Sequence, residues 1–361
     1  GVLSQKEVKT YRDSFEKSNM EIFYVNQAYL LIHDVNALYG KADQNKYLSK
    51  LEERVERLEE LWGASRLTTV YNQYLKAQEL ILQVEGRWRI LLQVLDSSET
   101  LVAAKKLSTK IFDMNRIRNM KMFTLTMLKR YEEAVTYGGQ QLKHFVEDEY
   151  NYYIFQLNHT LALIYAGYYQ QVVKLVKKLE ESRNWQVVVG DVKEQFYLMR
   201  AYARFLSGQQ VNYSDLYNRM VKLRRNALGT SINLRILELL IDLKGEDYIS
   251  FERKLKNLHN SLYTNTKNKQ IKKPRTNRFL LLLWKVVQHK QLPVTQLREK
   301  GRHLYNRLKK RGFEGIMETE FEAVPYEQLW DFVLLTLATQ KKKNKAGMQK
   351  SPRRNHPFLS L

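Results

Sequence analysis

The chain has 361 residues, with 60 Lys/Arg against 38 Asp/Glu for a formal net charge of +22, no Cys, and only 5 Pro and 15 Gly. Without Cys, disulfide frameworks, thiolate metal sites and a cysteine nucleophile are excluded, and so few turn-formers argue against a many-stranded β fold. The most apolar run, Phe279–Trp284, stops at Lys285, far short of the ~20 residues that a membrane-spanning helix needs.

All-α is therefore the expected class. Val2–Tyr39 reads as a helix with Phe15, Ile22, Val25 and Tyr29 on one face, and Gly40 is its expected stop. Tyr47–Trp62 carries Leu48, Leu51, Val55, Leu58 and Trp62 at alternating spacings of 3 and 4. That is a two-heptad seam, expected to pack on neighbouring helices rather than to dimerise. Gly63 and Gly86 punctuate the next two helices, whose apolar stripes hold Tyr71, Tyr74 and Leu75, then Trp88, Leu91, Leu92 and Leu95. Asp96-Ser-Ser-Glu99 reads as an N-cap cluster opening a helix to Phe112. Arg116–Lys129 is the next helix, and Asn184–Gly190 is a linker that packs Trp185. Asp191 caps a helix to Phe205, and Pro325 opens the last helix, which fades at Lys341 into a basic tail.

Helical patterns restart on Tyr131, Tyr169, Tyr213 and Tyr248, with a further restart at Val294. In Tyr131-Glu-Glu-Ala134 and Tyr169-Gln-Gln-Val172 a small or β-branched residue follows three positions on, and Leu161-Ala162, Tyr165 and Gly167 precede the second unit. These features resemble a degenerate tetratricopeptide-type helix–turn–helix repeat over residues 115–262. The resemblance implies an α-solenoid of irregular helix pairs, without an active site, that binds a peptide or protein partner in a superhelical groove. It places Gln156 and His159 toward that groove, continued by Arg200 and Arg204. For His159 a partly buried packing position is the preferred reading. The domain expectation is N-terminal helix pairs over 1–112, the best-formed repeats over 113–263, basic helix pairs over 264–340 and a flexible tail over 341–361.

Residues 261–361 hold 22 Lys/Arg against 7 Asp/Glu, whereas residues 1–100 hold 13 against 15. Lys267, Lys269, Lys272, Lys273, Arg275 and Arg278 cluster in one expected loop, and Arg307, Lys309, Lys310 and Arg311 load the helix that follows. Such clusters suit phosphate neutralisation, which needs many charges rather than a precise motif, and they equally suit a solvated basic surface. The seven His have no metal-ligand spacing, and no phosphate-cradling Gly loop or nucleophile elbow occurs. No cofactor and no catalytic residue is expected. The leading expectation is a cytoplasmic, non-enzymatic scaffold for a protein or peptide. The alternative is a nucleic-acid or other polyanion binder using the basic C-terminal region. The start at Gly1 reads as a trimmed end, and oligomeric state is left open.

Overall fold

Tyr131, Tyr169, Tyr213, Tyr248 and Val294 each occupy the first position of a helix. The computed structural model describes residues 5–39, 44–147, 149–223, 230–267, 274–310 and 322–350; among them are fifteen α-helices and no strand. They form two compact units that divide between Ala166 and Gly167.

The first unit holds α1 (Gln5–Tyr39), α2 (Gln44–Ser65), α3 (Thr68–Val84), α4 (Trp88–Ala103), α5 (Met114–Met127), α6 (Tyr131–Gln141) and α7 (Tyr150–Tyr165). The heptad seam of α2 is spent inside the chain: Leu51 and Leu58 are buried, and α2 packs on both α1 and α3. An aromatic cluster follows, with Trp62 4.8 Å from Tyr71 and Tyr71 5.9 Å from Phe112 between ring centroids. From α3 onward each helix packs on the next up to α6, and α7 touches both α5 and α6. Lys121 of α5 ties back to α4 through Asp96 at 2.7 Å and Glu99 at 2.6 Å.

The second unit holds α8 (Tyr169–Glu180), α9 (Gly190–Leu206), α10 (Tyr213–Leu223), α11 (Thr230–Lys244), α12 (Tyr248–Lys267), α13 (Pro274–Gln288), α14 (Val294–Lys310) and α15 (Tyr326–Lys350). Between α8 and α9 a short 3₁₀ turn, Arg183–Val187, tucks Trp185 against Phe196, as the linker reading requires. Here α15 does more than continue a stack. It packs on α14 and α13 and also reaches back to α11, where Gln340 Nε2 donates to the Leu243 carbonyl at 2.9 Å. Just before α15, the Ala323 N–H donates to Asn233 Oδ1 of α11 at 3.2 Å.

One turn device recurs. Lys105, Lys129 and Glu246 sit two residues past a helix end with φ of 55°, 62° and 63°, and Gly86, Gly167 and Gly208 do the same at 65°, 84° and 83°. After the turn the chain bonds back to the helix it has left. The Arg130 N–H reaches the Leu125 carbonyl, Gln209 reaches Arg204, and Asp247 reaches Asp242. This is the Schellman arrangement, which satisfies the orphan carbonyls of a helix end. It lets the next helix restart within a few residues.

Several boundaries differ from the sequence expectation. Gly63 lies within α2, and the break falls at Arg66, with φ 55°. Asp96–Glu99 is mid-helix in α4 rather than a cap: Ser98 Oγ donates to the Val94 carbonyl at 2.8 Å and lies 2.7 Å from Tyr71 Oη. The cap of the following helix is Asp113, whose carboxylate accepts from the Arg116 N–H at 3.1 Å. Asp191 falls in the first turn of α9, one residue inside its start. The last helix runs on through Lys341 to Lys350, because polar, Lys-rich sequence keeps good helix propensity after its apolar stripe ends. Gly40 and residues 351–361 lie outside the described residues.

Candidate interaction surfaces

The expected groove positions are turned inward. Gln156 is 2% exposed on α7, and His159, one turn further on, packs against α6 at Gly138. Burial holds the His159 imidazole below its ordinary pKa, with the Val135 backbone pulling the other way. Both are packing residues, which corrects their assignment to a groove. In the second unit Arg200 is committed to Glu180 of α8 and lies 5.7 Å from the Tyr197 ring, while Arg204 is exposed.

The basic cluster divides as well. Arg275 is 3% exposed. It donates to Glu322 through Nε, to Glu327 through Nη2 at 2.7 Å and to the Leu308 carbonyl through Nη1 at 2.6 Å. Those charges hold its guanidinium protonated far above any working pH, although burial opposes them. Arg275 is thus a buried tie among α13, α14 and the start of α15, which removes it from the anion-binding residues. Arg278 is half-buried on α13. Lys269, Lys272, Lys273 and Arg311 lie outside the described residues, and Lys267 and Lys310 are described only as helical backbone.

The basic charge that does face outward is on α14. Leu297, Gly301 and Leu308 form its buried line, and Gly301 lets the helix close on its neighbours: a Cβ there would lie 2.9 Å from Leu282 Cδ2 and 3.1 Å from Trp330 Cζ2. Arg298, Lys300, Arg302, Arg307 and Lys309 are all exposed on the other side. Glu299, which pairs with Arg302 at 3.1 Å, is the acidic residue of that helix.

A third surface lies on α1. Phe15, Ile22 and Tyr29 do share a face of α1, but that face points to solvent, at 67%, 59% and 52% exposure. Ala28, Ile32 and Val35 supply the buried face that meets α2 and α3. Every residue from Gln5 to Met20, the first half of α1, is exposed. Val8, Tyr11, Phe23 and Leu30 add to the outward apolar surface, each 44% exposed or more. Seven such side chains project within roughly 120° of one another at 100° per residue. Isolated surface apolar residues need no explanation, whereas these seven share one face of a single helix.

Among the described residues no group of three or more His, Asp or Glu could hold a metal ion, and no helix is long and apolar enough to cross a membrane. No protein-family model, curated protein or solved structure matches the chain.

Proposed function

We propose that the chain is a non-enzymatic protein–protein interaction scaffold, its helix pairs stacked in the manner of a tetratricopeptide-like solenoid, acting in the cytoplasm. Its contact surface is the outward face of α1. The observation that carries this reading is the row Val8, Tyr11, Phe15, Ile22 and Tyr29 on a helix whose first half is exposed throughout. Each such side chain gains about 1.5–3 kcal/mol when fully buried, and the chain's own fold leaves most of that gain unrealised.

The test places a photoreactive amino acid at Ile22, on the outward face, and at Asp13, on the opposite one. Irradiation in cells should give a protein adduct from position 22 and little from 13. Equal labelling from the two positions, or no protein adduct from position 22, overturns the reading.

The exposed Arg298, Lys300, Arg302, Arg307 and Lys309 favour a second reading, in which α14 binds nucleic acid or another polyanion. Reversing Arg298, Lys300 and Arg307 to Glu should weaken binding to mixed-sequence RNA. On a single strand the salt slope should fall by about 0.7 for each phosphate that is no longer neutralised. An unchanged slope removes this reading.

A further inference from the structure

The outward stripe of α1, exposed except at the half-buried Val25, keeps a period that packing within one globule does not require. Val8, Tyr11, Phe15, Ser18, Ile22, Val25 and Tyr29 are spaced 3, 4, 3, 4, 3 and 4. That is a repeat of 3.5 residues, the a and d positions of a coiled coil, sustained for about 33 Å of helix at 1.5 Å per residue. At the next position of the register, Ile32, the seam enters the chain's own core, at 9% exposure. The exposed seam thus ends where the body of the first unit begins.

We infer that this seam is covered by the same seam of a second copy, as a parallel two-stranded coiled coil. The inference rests on the proposed role of α1 as a contact surface and names its occupant. A surface that repeats a and d positions is complementary to itself. With Val8 at a, Glu7 falls at g and Arg12 at the following e, five residues on. That is the offset at which g of one helix meets e of the other in a parallel pair, so opposite charges face each other at the free end. Glu21 at g likewise meets the neutral Asn26 at e. In the antiparallel register that layers Tyr11 on Tyr29, each g flank meets another g flank, and Glu21 falls opposite its own copy.

The area suits a pair as well. Tyr11, Phe15 and Tyr29 are each more than half exposed, and an aromatic side chain carries roughly 150–250 Å². With Val8, Ile22 and the flanking polar stems, the seam offers on the order of 600–800 Å² per partner, close to the ~800 Å² of a standard interface. Ser18, at a central d position, interrupts the apolar residues of the seam.

Because the chain has no Cys, the geometry can be read with single introduced thiols. The purified full chain should show the mass of two chains by light scattering, dissociating on dilution. Phe15→Glu and Ile22→Glu change residues that the fold leaves more than half exposed, so each should weaken dimerisation at least tenfold with helicity unchanged. Ser18→Cys should oxidise to a covalent dimer in high yield, since d-layer side chains adjoin across the axis, while Asp13→Cys should not. A single-chain mass up to about 100 μM, a dimer indifferent to Phe15→Glu and Ile22→Glu, or one in which Ser18→Cys crosslinks no better than Asp13→Cys overturns the inference. If the Ile22 photoadduct instead contains a different protein, the second copy is overturned while the scaffold reading stands. If no protein adduct forms at Ile22, the scaffold reading itself fails.

Discussion

His159 packs its imidazole onto the bare backbone of Gly138: a Cβ built there would lie 2.7 Å from His159 Cδ2 and 2.6 Å from Met122 Sδ. The neighbouring Gly139 has nothing within 4 Å of the same position. Two adjacent glycines of one helix are therefore expected to respond with opposite signs. Gly139→Ala should stabilise by up to about 1 kcal/mol, the helix-propensity difference. Gly138→Ala gains the same propensity but overpacks the junction of α6 with α5 and α7, for a net loss of about 1–2 kcal/mol. Urea unfolding of the two variants measures both.

The left-handed turn residues give a second pair of outcomes. Lys105 and Glu246 are exposed and hold φ of 55° and 63°, a conformation that costs an L-residue about 1–2 kcal/mol. Lys105→Gly and Glu246→Gly relieve that strain while adding unfolded-state entropy. Each should raise stability by roughly 0.5–1 kcal/mol, whereas Gly208→Ala, at φ 83°, should lower it by a similar amount. Thermal midpoints rank all three.

Truncating Arg275 leaves Glu322 and Glu327 buried without their shared cation. Arg275→Met should cost about 3–5 kcal/mol, as for other buried pairs broken on one side. Burial already raises the Glu322 pKa, with Arg275 opposing it. The carboxyl left behind in Arg275→Met should therefore take up a proton, and the variant should recover stability as pH falls. A cost below 1 kcal/mol at pH 7 contradicts the buried tie and returns Arg275 to the surface charge.

Glu79 on α3 is 2% exposed and bonded to Arg116 of α5. Burial raises its pKa to about 7, with Arg116 acting to lower it. The folded state thus holds this proton more tightly than the unfolded one. The associated stability is complete below the ordinary carboxylate pKa and is lost as pH rises toward 7. Wild type should therefore lose stability relative to Glu79→Gln between pH 5 and pH 7.5; parallel pH profiles would show that Glu79 is ionised in the fold throughout.

The helix starts are legible in the sequence because an amphipathic pattern resumes on one large residue: Tyr131, Tyr169, Tyr213 and Tyr248 all open helices. The stops are less so. Lys105, Lys129, Arg66 and Glu246 adopt a turn conformation that ordinarily advertises itself as Gly, while Gly63 and Gly138 lie inside helices. Arg275 looks like one of a run of loop cations because its partners Glu322 and Glu327 are 47 and 52 residues away, beyond any local spacing rule. Gln156 and His159 sit on a helix that the pattern finds, but periodicity does not say which neighbour a face meets. The same ambiguity hides the α1 surface. Phe15, Ile22 and Tyr29 share one stripe, and an apolar stripe on its own reads as core.

The return of α15 to α11 has a kinetic consequence. Asn233 waits for Ala323 and Leu243 for Gln340, sequence separations of 90 and 97 residues. Most other helix packing in the second unit joins sequential neighbours and can form quickly by local zippering. Closing loops of that length is entropically costly and comes late. Synthesis makes α15 after α8 to α14, so a nascent second unit can assemble those helices with the apolar side chains of α11 and α13 still open. That interval, rather than the finished fold, is when this half of the chain is most exposed to aggregation and proteolysis.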